Sequence, residues 1–263
     1  MPLVSAIVLN YRSPQDTVRC VQALQKQTIV DQLQIIVVDN HSEDDSIGVI
    51  RNRLQHMDNV EIVESATNTG YGSGNNYALR YADGEYILII NPDNALEPAG
   101  LENLVAYMKE HPEIGILAPQ LVFSDGTIRD SHRIFPSFFD VCIKRTPLRR
   151  LFTKRLDKYL ERNENPQAVR QVDWVVGACF LIPKTLFTDL GGYDERFFLF
   201  FEDTDLCRRC SNAGRHVVYY PPVSASDRKQ RLSGGGFFAL FLNKTGRVHI
   251  ASALKYFWKW RRA

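Results

Sequence analysis

Short apolar runs alternate with amphipathic stretches through the first 115 residues of the chain. The apolar runs are rich in β-branched residues and end at polar or turn-forming residues, as buried strands do. Strands are predicted at 4–9, 33–38, 60–64 and 86–90. Amphipathic stretches with apolar positions on one face predict helices. These helices are expected at 15–27, 46–56, 77–82 and 98–110. The alternation predicts an α/β fold with a doubly wound, mostly parallel central sheet flanked by helices.

The pattern changes after residue 115. Strands are predicted at 116–123, 174–183 and 216–220, and helices at 184–190 and 203–213. The basic stretch 140–170 has weak periodicity, which predicts a loop or a mobile helix over the functional site. From Gly234 onward the pattern is typical of a helix. We therefore expect one domain over 1–233, with halves at 1–115 and 116–233, followed by a basic, aromatic helical tail at 234–263.

The composition is that of an ordinary globular protein. Of the 263 residues, 44% are hydrophobic, 11% aromatic and 24% charged, which excludes disorder of the whole chain. No run approaches the roughly 20 apolar residues of a membrane-spanning helix, so a soluble or peripheral protein is expected. The net charge of +2 is an average over the chain, which contains two strongly basic segments at 144–158 and 244–262. No nucleic-acid partner is expected.

The five cysteines are odd in number and scattered, and the chain opens without a signal peptide. These features favour a reducing cytoplasm over a disulfide framework. Cys207 and Cys210 form a CxxC pair, for which zinc or redox chemistry is one interpretation. We favour a helix that carries the two cysteines one turn apart, because no second pair lies near them.

Polar clusters follow three of the predicted strands, at 10–12, 39–42 and 91–94. Because ligands of open α/β sheets bind at the carboxyl ends of strands, these clusters are expected to converge on one edge. Asp93 follows Pro92 at a strand end, which suits a divalent cation that neutralises a nucleotide diphosphate. A turn with an aspartate cap is the alternative interpretation.

Asp39 also ends a strand and has two interpretations. A carboxylate at this place accepts hydrogen bonds from a base or a ribose in dinucleotide folds. It is equally typical of helix capping, and Ser42 is a further candidate cap for the next helix.

The segment 68–76 places Gly70, Gly72 and Gly74 before a helix. Alternating glycines permit close approach of the backbone to a ligand, and a helix N-terminus offers N–H groups to a phosphate or a sugar. The segment matches neither GxxxxGK[ST] nor a GxGxxG in the first βα turn. ATP and NAD are therefore disfavoured as ligands.

The stretch 197–206, FFLFFEDTDL, runs from aromatic residues directly into Glu202, Asp203 and Asp205. Apolar surroundings raise the pKa of a carboxyl group, which suits a general base. The alternative is a core strand followed by the acidic first turn of a helix, which the helix dipole favours.

Six segments together resemble the family 2 glycosyltransferases, which have the GT-A fold. The segments are VSAIVLNYRS, IIVVDNHSEDDS, NTGYGSGNN, YILIINPDN, VVGACFLIPK and GGYDERFFLFFEDTDLCRRCSNAG. They occur in the family's order and spacing over roughly residues 3–223. The similarity is greatest to the rhamnosyltransferase-like branch of bacterial surface-polysaccharide, lipopolysaccharide and O-antigen synthesis.

The resemblance implies roles for particular residues. Asp203 is the implied catalytic base, with Glu202 beside it, and Asp93 is the implied metal ligand, where Asn91 replaces the first aspartate of the family's DxD element. The implied nucleotide-sugar residues, in the half at 1–115, are Asn10, Tyr11, Arg12, Asp39, Asn68, Gly70, Gly74, Asn75, Asn91 and Asp93. The implied acceptor or sugar residues, in the half at 116–233, are Trp174, Gly177, Ala178 and Asp205.

One departure concerns the metal, expected to be Mg²⁺ or Mn²⁺. Many relatives carry a metal-binding histidine after the last strand, where this chain reads PPVSASDRKQRLS. Asp227 is a candidate replacement; alternatively the metal rests on Asp93 and the diphosphate alone.

The implied reaction is an inverting transfer of a sugar from a nucleotide-sugar donor to a lipid-linked glycan. The implied donor is dTDP-rhamnose, with a UDP-hexose or UDP-N-acetylhexosamine as the alternative. From other classes, a nucleotidyltransferase or a non-catalytic carbohydrate-binding module remains. The basic, aromatic tail favours an anionic membrane surface, hence a cytoplasmic protein on the inner face of the membrane; a terminal helix packed on the domain is the alternative.

Overall fold

The central element of the fold is a nine-stranded mixed sheet, accompanied by a separate two-stranded sheet and nine α-helices. These counts refer to residues 1–228 and 243–262, which are the residues that the computed structural model describes. The strands are β1 Val4–Asn10, β2 Leu33–Asp39, β3 Val60–Glu64, β4 Tyr86–Ile90, β5 Ala95–Leu96, β6 Ile114–Phe123, β7 His132–Arg133, β8 Arg170–Gln171, β9 Trp174–Val175, β10 Cys179–Pro183 and β11 His216–Asp227.

Nine α-helices accompany these strands in the described part of the chain, most of them against the central sheet. They are α1 Pro14–Leu24, α2 Ser46–Leu54, α3 Tyr71–Leu79, α4 Gly100–Glu110, α5 Phe138–Arg145, α6 Thr153–Tyr159, α7 Lys184–Asp189, α8 Glu202–Asn212 and α9 Lys244–Lys259. Strands β1, β2 and β4 lie almost wholly buried, as expected of parallel strands with helices on both faces.

The sheet order is β3-β2-β1-β4-β10-β6-β11-β5, with β8 paired to β11. Strands β3, β2, β1 and β4 are mutually parallel, β10 runs antiparallel to both neighbours, and β11 is parallel to β6. The predicted α/β class with a mostly parallel sheet and flanking helices is thereby confirmed. The four strands predicted in the first half also occupy nearly the expected residues.

The single strand predicted at 174–183 is wrong, because the chain breaks at 176–178 into β9 and β10. The backbone groups at the break bond elsewhere: Val176 donates its N–H to Ser131, and the carbonyl of Ala178 accepts from Asn91. Strand β9 then pairs with β7, whereas β10 enters the central sheet. The break carries Gly177 to the functional site.

Strand β11 is longer than predicted and ends at Asp227 rather than at residue 220. The strand continues past the double proline at 221–222 through a register irregularity between Tyr220 and Ser224. Its last residues pair with the short strand β5. This extension brings Asp227 beside the segment that follows β4.

Helix α3 begins at Tyr71, six residues before the predicted start, so the glycine-rich segment is part of it. Gly70 has φ of +107°, and Tyr71 donates its N–H to the carbonyl of Phe198. A Cβ at Gly74 would lie 2.7 Å from Leu9 Cδ1, so glycine allows the helix to pack closely on β1. Gly70 and Gly74 therefore serve packing against the protein itself.

The basic stretch 140–170 contains helices α5 and α6 and a short 3₁₀ helix at Pro147–Arg150. Helix α5 begins with a capping box, in which Ser137 and Asp140 each accept a backbone N–H from the other. Short helices of this kind leave little periodicity in the sequence.

The predicted helical tail at 234–263 lies partly outside the described residues, which resume at residue 243. Helix α9 packs through Ser252, Ala253 and Tyr256 against the loop before α8 and against α8 itself. Within residues 1–228 and 243–262, none of the helices is both long and apolar enough to cross a bilayer.

Candidate active site

The carboxyl ends of β1 and β2 carry a buried polar cluster. Asn10 and Asp39 are paired in register, and Asn10 Nδ2 donates to Asp39 Oδ1 at 2.6 Å. Ser42 donates both its Oγ–H and its N–H to Asp39, at 2.5 and 3.0 Å. Asp39 therefore does not cap α2, whose N-cap is Asp45 without a side-chain bond. Ser42 likewise folds back onto β2 instead of acting as the predicted cap.

Tyr11 and Arg12 extend this cluster to the surface. Arg12 has φ of +54°, and its N–H and Nε donate to the side chain and carbonyl of Ser42. Its guanidinium lies 5.2 Å from the ring centre of Tyr11, which is exposed. Tyr11 and Arg12 therefore present an aromatic face and a cation next to the buried carboxylate of Asp39.

Asn40 and Asn68 form the adjoining wall. Asn40 Nδ2 donates to Asn68 Oδ1 and to the carbonyl of Gly70, both at 3.2 Å. Asn40 Oδ1 is buried without a partner, which makes it an acceptor for a ligand N–H or O–H. Asn75 is also buried, but its amide bonds to the carbonyl of Tyr71 within α3. Asn75 therefore stabilises the first turn of α3, which lies beside the site.

A second carboxylate cluster follows β4. Asp93 is half-buried, and its pKa is raised by burial and by the charge of Asp227. Asp227 forms an ion pair with Arg129 and accepts from Asn94 Nδ2 at 3.1 Å. Asn94 Oδ1 is buried without a partner. Two carboxylates and an unsatisfied amide oxygen thus meet at one place.

Asp203 lies in the first turn of α8 with hydrogen bonds to both oxygens. Gly177 donates its N–H to Oδ2 at 3.0 Å, and Thr204 donates its N–H to Oδ1 at 2.7 Å. Burial raises the pKa of Asp203, whereas these donors and the charge of Arg133 oppose the rise. The carboxylate is half-buried and so keeps a face for a substrate hydroxyl.

Glu202, in contrast to Asp203, is buried and has an oxygen without a hydrogen-bond donor. Its side chain is 5% exposed, and Oε2 has no hydrogen-bond partner. Burial, and then the charge of Asp203, hold the pKa of Glu202 well above its usual range. Of the two adjacent carboxyl groups, Glu202 therefore holds its proton more strongly, whereas hydrogen bonds stabilise the charged form of Asp203.

Tyr71 connects the two carboxylate clusters, and sequence reasoning missed it. Its hydroxyl lies 2.8 Å from Asn91 Oδ1 and 2.5 Å from the carbonyl of Gly177. Its ring packs edge-on against Tyr193 at 6.0 Å. An aromatic residue at the start of a glycine-rich helix was the available signal. Arg133, which faces Asp203, was missed because its short strand has no detectable pattern.

The predicted acceptor residues separate into two groups. Gly177 and Ala178 lie at the strand break beside Asp203, and Trp174 is buried with its indole N–H bonded to the carbonyl of Ile134. Asp205 is fully buried and does not face this space.

The oxygens of Asp205 accept from Arg209 at 2.8 Å, Lys259 at 2.6 Å and Trp260 at 2.9 Å. The structure thus assigns Asp205 to the attachment of α9, which corrects its predicted acceptor role.

The CxxC pair lies buried in α8, as the helical interpretation predicts. Burial raises the pKa of Cys207 well above its usual range and that of Cys210 to about 12. Both thiols are therefore protonated at neutral pH.

Comparisons with known proteins agree with this geometry. Residues 5–188 match the family described as glycosyl transferase family 2. The chain is 27% identical over 219 residues to N-acetylglucosaminyl-diphospho-decaprenol L-rhamnosyltransferase of Mycobacterium tuberculosis, covering 77% of this chain and 68% of the relative. It is 27% identical over 233 residues to rhamnosyltransferase WbbL of Escherichia coli, covering 85% and 81%.

Among solved structures, GalNAc-T7 with UDP, GalNAc and Mn²⁺ superimposes with a TM-score of 0.67 at 16% identity, covering 90% of this chain. TarS of S. aureus gives 0.61 at 18% identity, covering 87%. The chain spans 45% of the first structure and 37% of the second.

The fold and the strand-end carboxylates define a GT-A glycosyltransferase. The chain belongs to glycosyltransferase family 2, and the two relatives above are named as rhamnosyltransferases.

The protonated state of Glu202 can be tested through stability. In the unfolded chain this group ionises near its ordinary pKa of about 4.3, whereas in the folded chain it stays protonated to higher pH. The wild type must therefore lose stability relative to Glu202→Gln as the pH rises above about 4.3, by up to about 1.4 kcal/mol per pH unit. Urea unfolding at several pH values measures the difference.

A difference in unfolding free energy that does not change with pH would show that Glu202 ionises normally in the folded protein. Glu195→Gln is the matched control, because Glu195 is exposed in the loop before α8.

Proposed function

We propose that the protein transfers rhamnose from dTDP-rhamnose to a lipid-linked glycan with inversion at the anomeric carbon, in the synthesis of a surface polysaccharide such as O-antigen. The observation that carries the proposal is the half-buried Asp203, whose two oxygens accept N–H groups from Gly177 and Thr204. The hydroxyl of Tyr71 lies beside it, between the carbonyl of Gly177 and Asn91 at the end of β4. The names of the two rhamnosyltransferase relatives support the donor. A UDP-hexose or UDP-N-acetylhexosamine donor fits the same site and is the alternative.

Asp203 supplies the base for a single displacement. Its carboxylate takes the proton of an acceptor hydroxyl, and the oxygen of that hydroxyl attacks the anomeric carbon on the face opposite the leaving diphosphate. The N–H groups of Gly177 and Thr204 fix the orientation of the carboxylate while leaving a lone pair for the proton. One displacement of this kind inverts the anomeric configuration.

The donor binds along the carboxyl edge of the sheet. The base and ribose lie against Asn10, Tyr11, Arg12 and Asp39, where Arg12 and Tyr11 offer a cation and a ring face. The unpartnered oxygen of Asn40 accepts a further hydrogen bond. The diphosphate then lies towards Asp93, on the way to Asp203.

The chemistry of the residues around Asp93 fits Mg²⁺ or Mn²⁺. The carboxylate of Asp93, that of Asp227 and the unsatisfied Asn94 Oδ1 are oxygen donors, which hard divalent cations prefer. The like charges of Asp93 and Asp227 raise the pKa of Asp93, and a bound cation relieves that repulsion. When bound, the metal would neutralise charge on the departing diphosphate.

Helix α9 supports a peripheral position on an anionic membrane at the cytoplasmic face. Leu254 and Trp258 lie one turn apart with 57% and 63% of their surface exposed. The basic residues Arg247, Arg261 and Arg262 are exposed on the same helix or just after it. Interleaved apolar and basic side chains are typical of interfacial helices.

The other aromatic residues of the tail have partners in the protein. Tyr256 is fully buried and its hydroxyl accepts from Arg208, whereas Trp260 bonds to Asp205. One face of α9 is therefore packed on the domain. The opposite face, which carries Leu254 and Trp258, is the one that we propose meets the membrane.

Asp203→Asn is expected to retain donor affinity and lose transfer by at least about 100-fold, because an amide cannot accept the acceptor's proton. Turnover with dTDP-rhamnose, together with donor binding by calorimetry, checks both parts. If Asp203→Asn remains nearly normal while Glu202→Gln is inactive, the base is Glu202 and the proposed roles are reversed.

Asp93→Ala is expected to abolish the contribution of Mn²⁺ to nucleotide binding, and Asp227→Asn to reduce it. The thermal shift caused by dTDP, with and without Mn²⁺, measures this contribution, because a ligand of the folded state raises stability. Asp83→Asn is the matched control, since Asp83 is exposed at the opposite end of β4. An unchanged Mn²⁺ effect in Asp93→Ala would remove Asp93 from the metal site.

Replacing Leu254 and Trp258 together by serine is expected to weaken binding to anionic liposomes roughly tenfold, from the lost burial of two apolar side chains. Sedimentation with liposomes measures it, and high salt should release the wild type. Val169→Ser, which changes another exposed apolar residue, is the control. Equal binding of all three proteins would show that α9 does not contact the membrane.

A further inference from the structure

Two half-buried arginines, Arg133 on β7 and Arg208 on α8, form no ion pair among the described residues. Of the five arginines that the structure describes as half-buried, Arg129, Arg170 and Arg209 form ion pairs with carboxylates. Arg133 and Arg208 have no carboxylate within ion-pair distance among the described residues. Keeping an unpaired cation away from water is costly, so such a pair indicates an anionic ligand.

Aromatic rings hold the two guanidinium groups in place. Arg133 Cζ lies 4.8 Å from the ring centre of Trp174, its partner across the β7–β9 pair. Arg208 Cζ lies 4.8 Å from the ring of Trp260 and 5.1 Å from that of Phe135. A ring contact fixes the plane of a guanidinium and leaves its N–H edge for a ligand.

Few protein groups occupy these N–H edges. Arg133 donates Nη2 to the carbonyl of Asp130 at 3.0 Å, and its Nε is buried without a partner. Arg208 donates Nη1 to the hydroxyl of Tyr256 at 3.2 Å. Each guanidinium therefore retains several donors, which suit the oxygens of a phosphate.

Arg133 lies on the side of the catalytic base, and Arg208 lies against Tyr256 and Trp260 of the C-terminal segment. The charge of Arg133 reaches Asp203 and opposes the rise in its pKa. Arg208 follows Asp203 by five residues on α8, about 7.5 Å along the helix axis. Phe135, which touches Arg208, precedes Phe138, whose ring lies 5.6 Å from Phe257 of α9. Phe138 is 58% exposed, and Leu254 and Trp258 of α9 are 57% and 63% exposed.

We infer that Arg133 and Arg208 bind the diphosphate of an acceptor whose glycan is linked to a lipid through that diphosphate. The inference rests on the proposed function, since it assumes a lipid-linked acceptor at Asp203. The acceptor hydroxyl then lies at Asp203, the diphosphate at the two guanidinium groups, and the lipid at the surface formed by Phe138, Leu254 and Trp258.

Binding of farnesyl diphosphate and of farnesol to the full chain tests the inference without requiring transfer. The wild type is expected to bind the diphosphate at least about tenfold more tightly, as charge-assisted hydrogen bonds imply. Arg133→Met and Arg208→Met, which keep the apolar stem, are each expected to reduce this preference, and the double variant to abolish it. Arg133→Lys and Arg208→Lys should retain part of it.

Donor hydrolysis and dTDP binding separate this site from the donor site. The affinity for dTDP should remain within about twofold of wild type in the methionine variants, whereas donor hydrolysis is compared in the wild type alone, because the charge of Arg133 acts on Asp203. Arg80→Met is the matched control, because Arg80 is exposed at the end of α3 and stacks on Tyr77.

An equal affinity of the wild type for farnesol and farnesyl diphosphate would overturn the inference. A preference that survives in folded methionine variants would also overturn it, as would a loss of dTDP affinity, which would place the arginines at the donor. A further result is that the wild type hydrolyses no nucleotide sugar and still prefers farnesyl diphosphate to farnesol through both arginines. That result would contradict the proposed function but support a diphosphate site at Arg133 and Arg208.

Discussion

Two adjacent carboxyl groups are buried at the start of α8, and the fold gives only one of them donors for both oxygens. Asp203 receives N–H groups from Gly177 and Thr204, whereas Glu202 Oε2 receives none. Two neighbouring charges in such surroundings repel each other, so the proton resides on the group without donors. The break between β9 and β10 presents the N–H of Gly177 to Asp203, and the proposed catalytic arrangement therefore depends on that interruption of a strand.

The position of this pair is maintained from the outer side by α9. Asp205 binds Lys259 and Trp260, and Asp194 binds Lys259, so the helix is attached to α8 and to the loop before it. Burial alone would raise the pKa of Asp194, but hydrogen bonds from Arg196 and Lys259 hold it below its usual range. The face of α9 proposed to meet a membrane thus lies on an element that is bonded directly to the catalytic helix.

The elements that could be predicted from the sequence are those that form because of residues within their own segment. Strands β1 to β4 are continuous apolar runs, and a run of this kind specifies a buried strand with little help from the rest of the chain. The break at 176–178, the extension of β11 and the early start of α3 each depend on a distant partner, such as Ser131, β5 or Phe198. Asp93, Asp203 and Asp39 were recognisable from motifs, whereas Tyr71, Arg133 and the attachment role of Asp205 follow only from the three-dimensional arrangement.

Asp227, the candidate replacement for the histidine of many relatives, adds a second negative charge at the proposed metal site. A second carboxylate beside Asp93 strengthens attraction for a cation but raises the cost of keeping both groups ionised, as the raised pKa of Asp93 indicates. Arg129 offsets this cost through its ion pair with Asp227. A divalent ion that uses both carboxylates must therefore compete with Arg129, and the diphosphate, which can receive the released guanidinium, makes that exchange more favourable. On this argument, metal and donor bind more tightly together than either does alone, because each supplies a charge that the other leaves unbalanced.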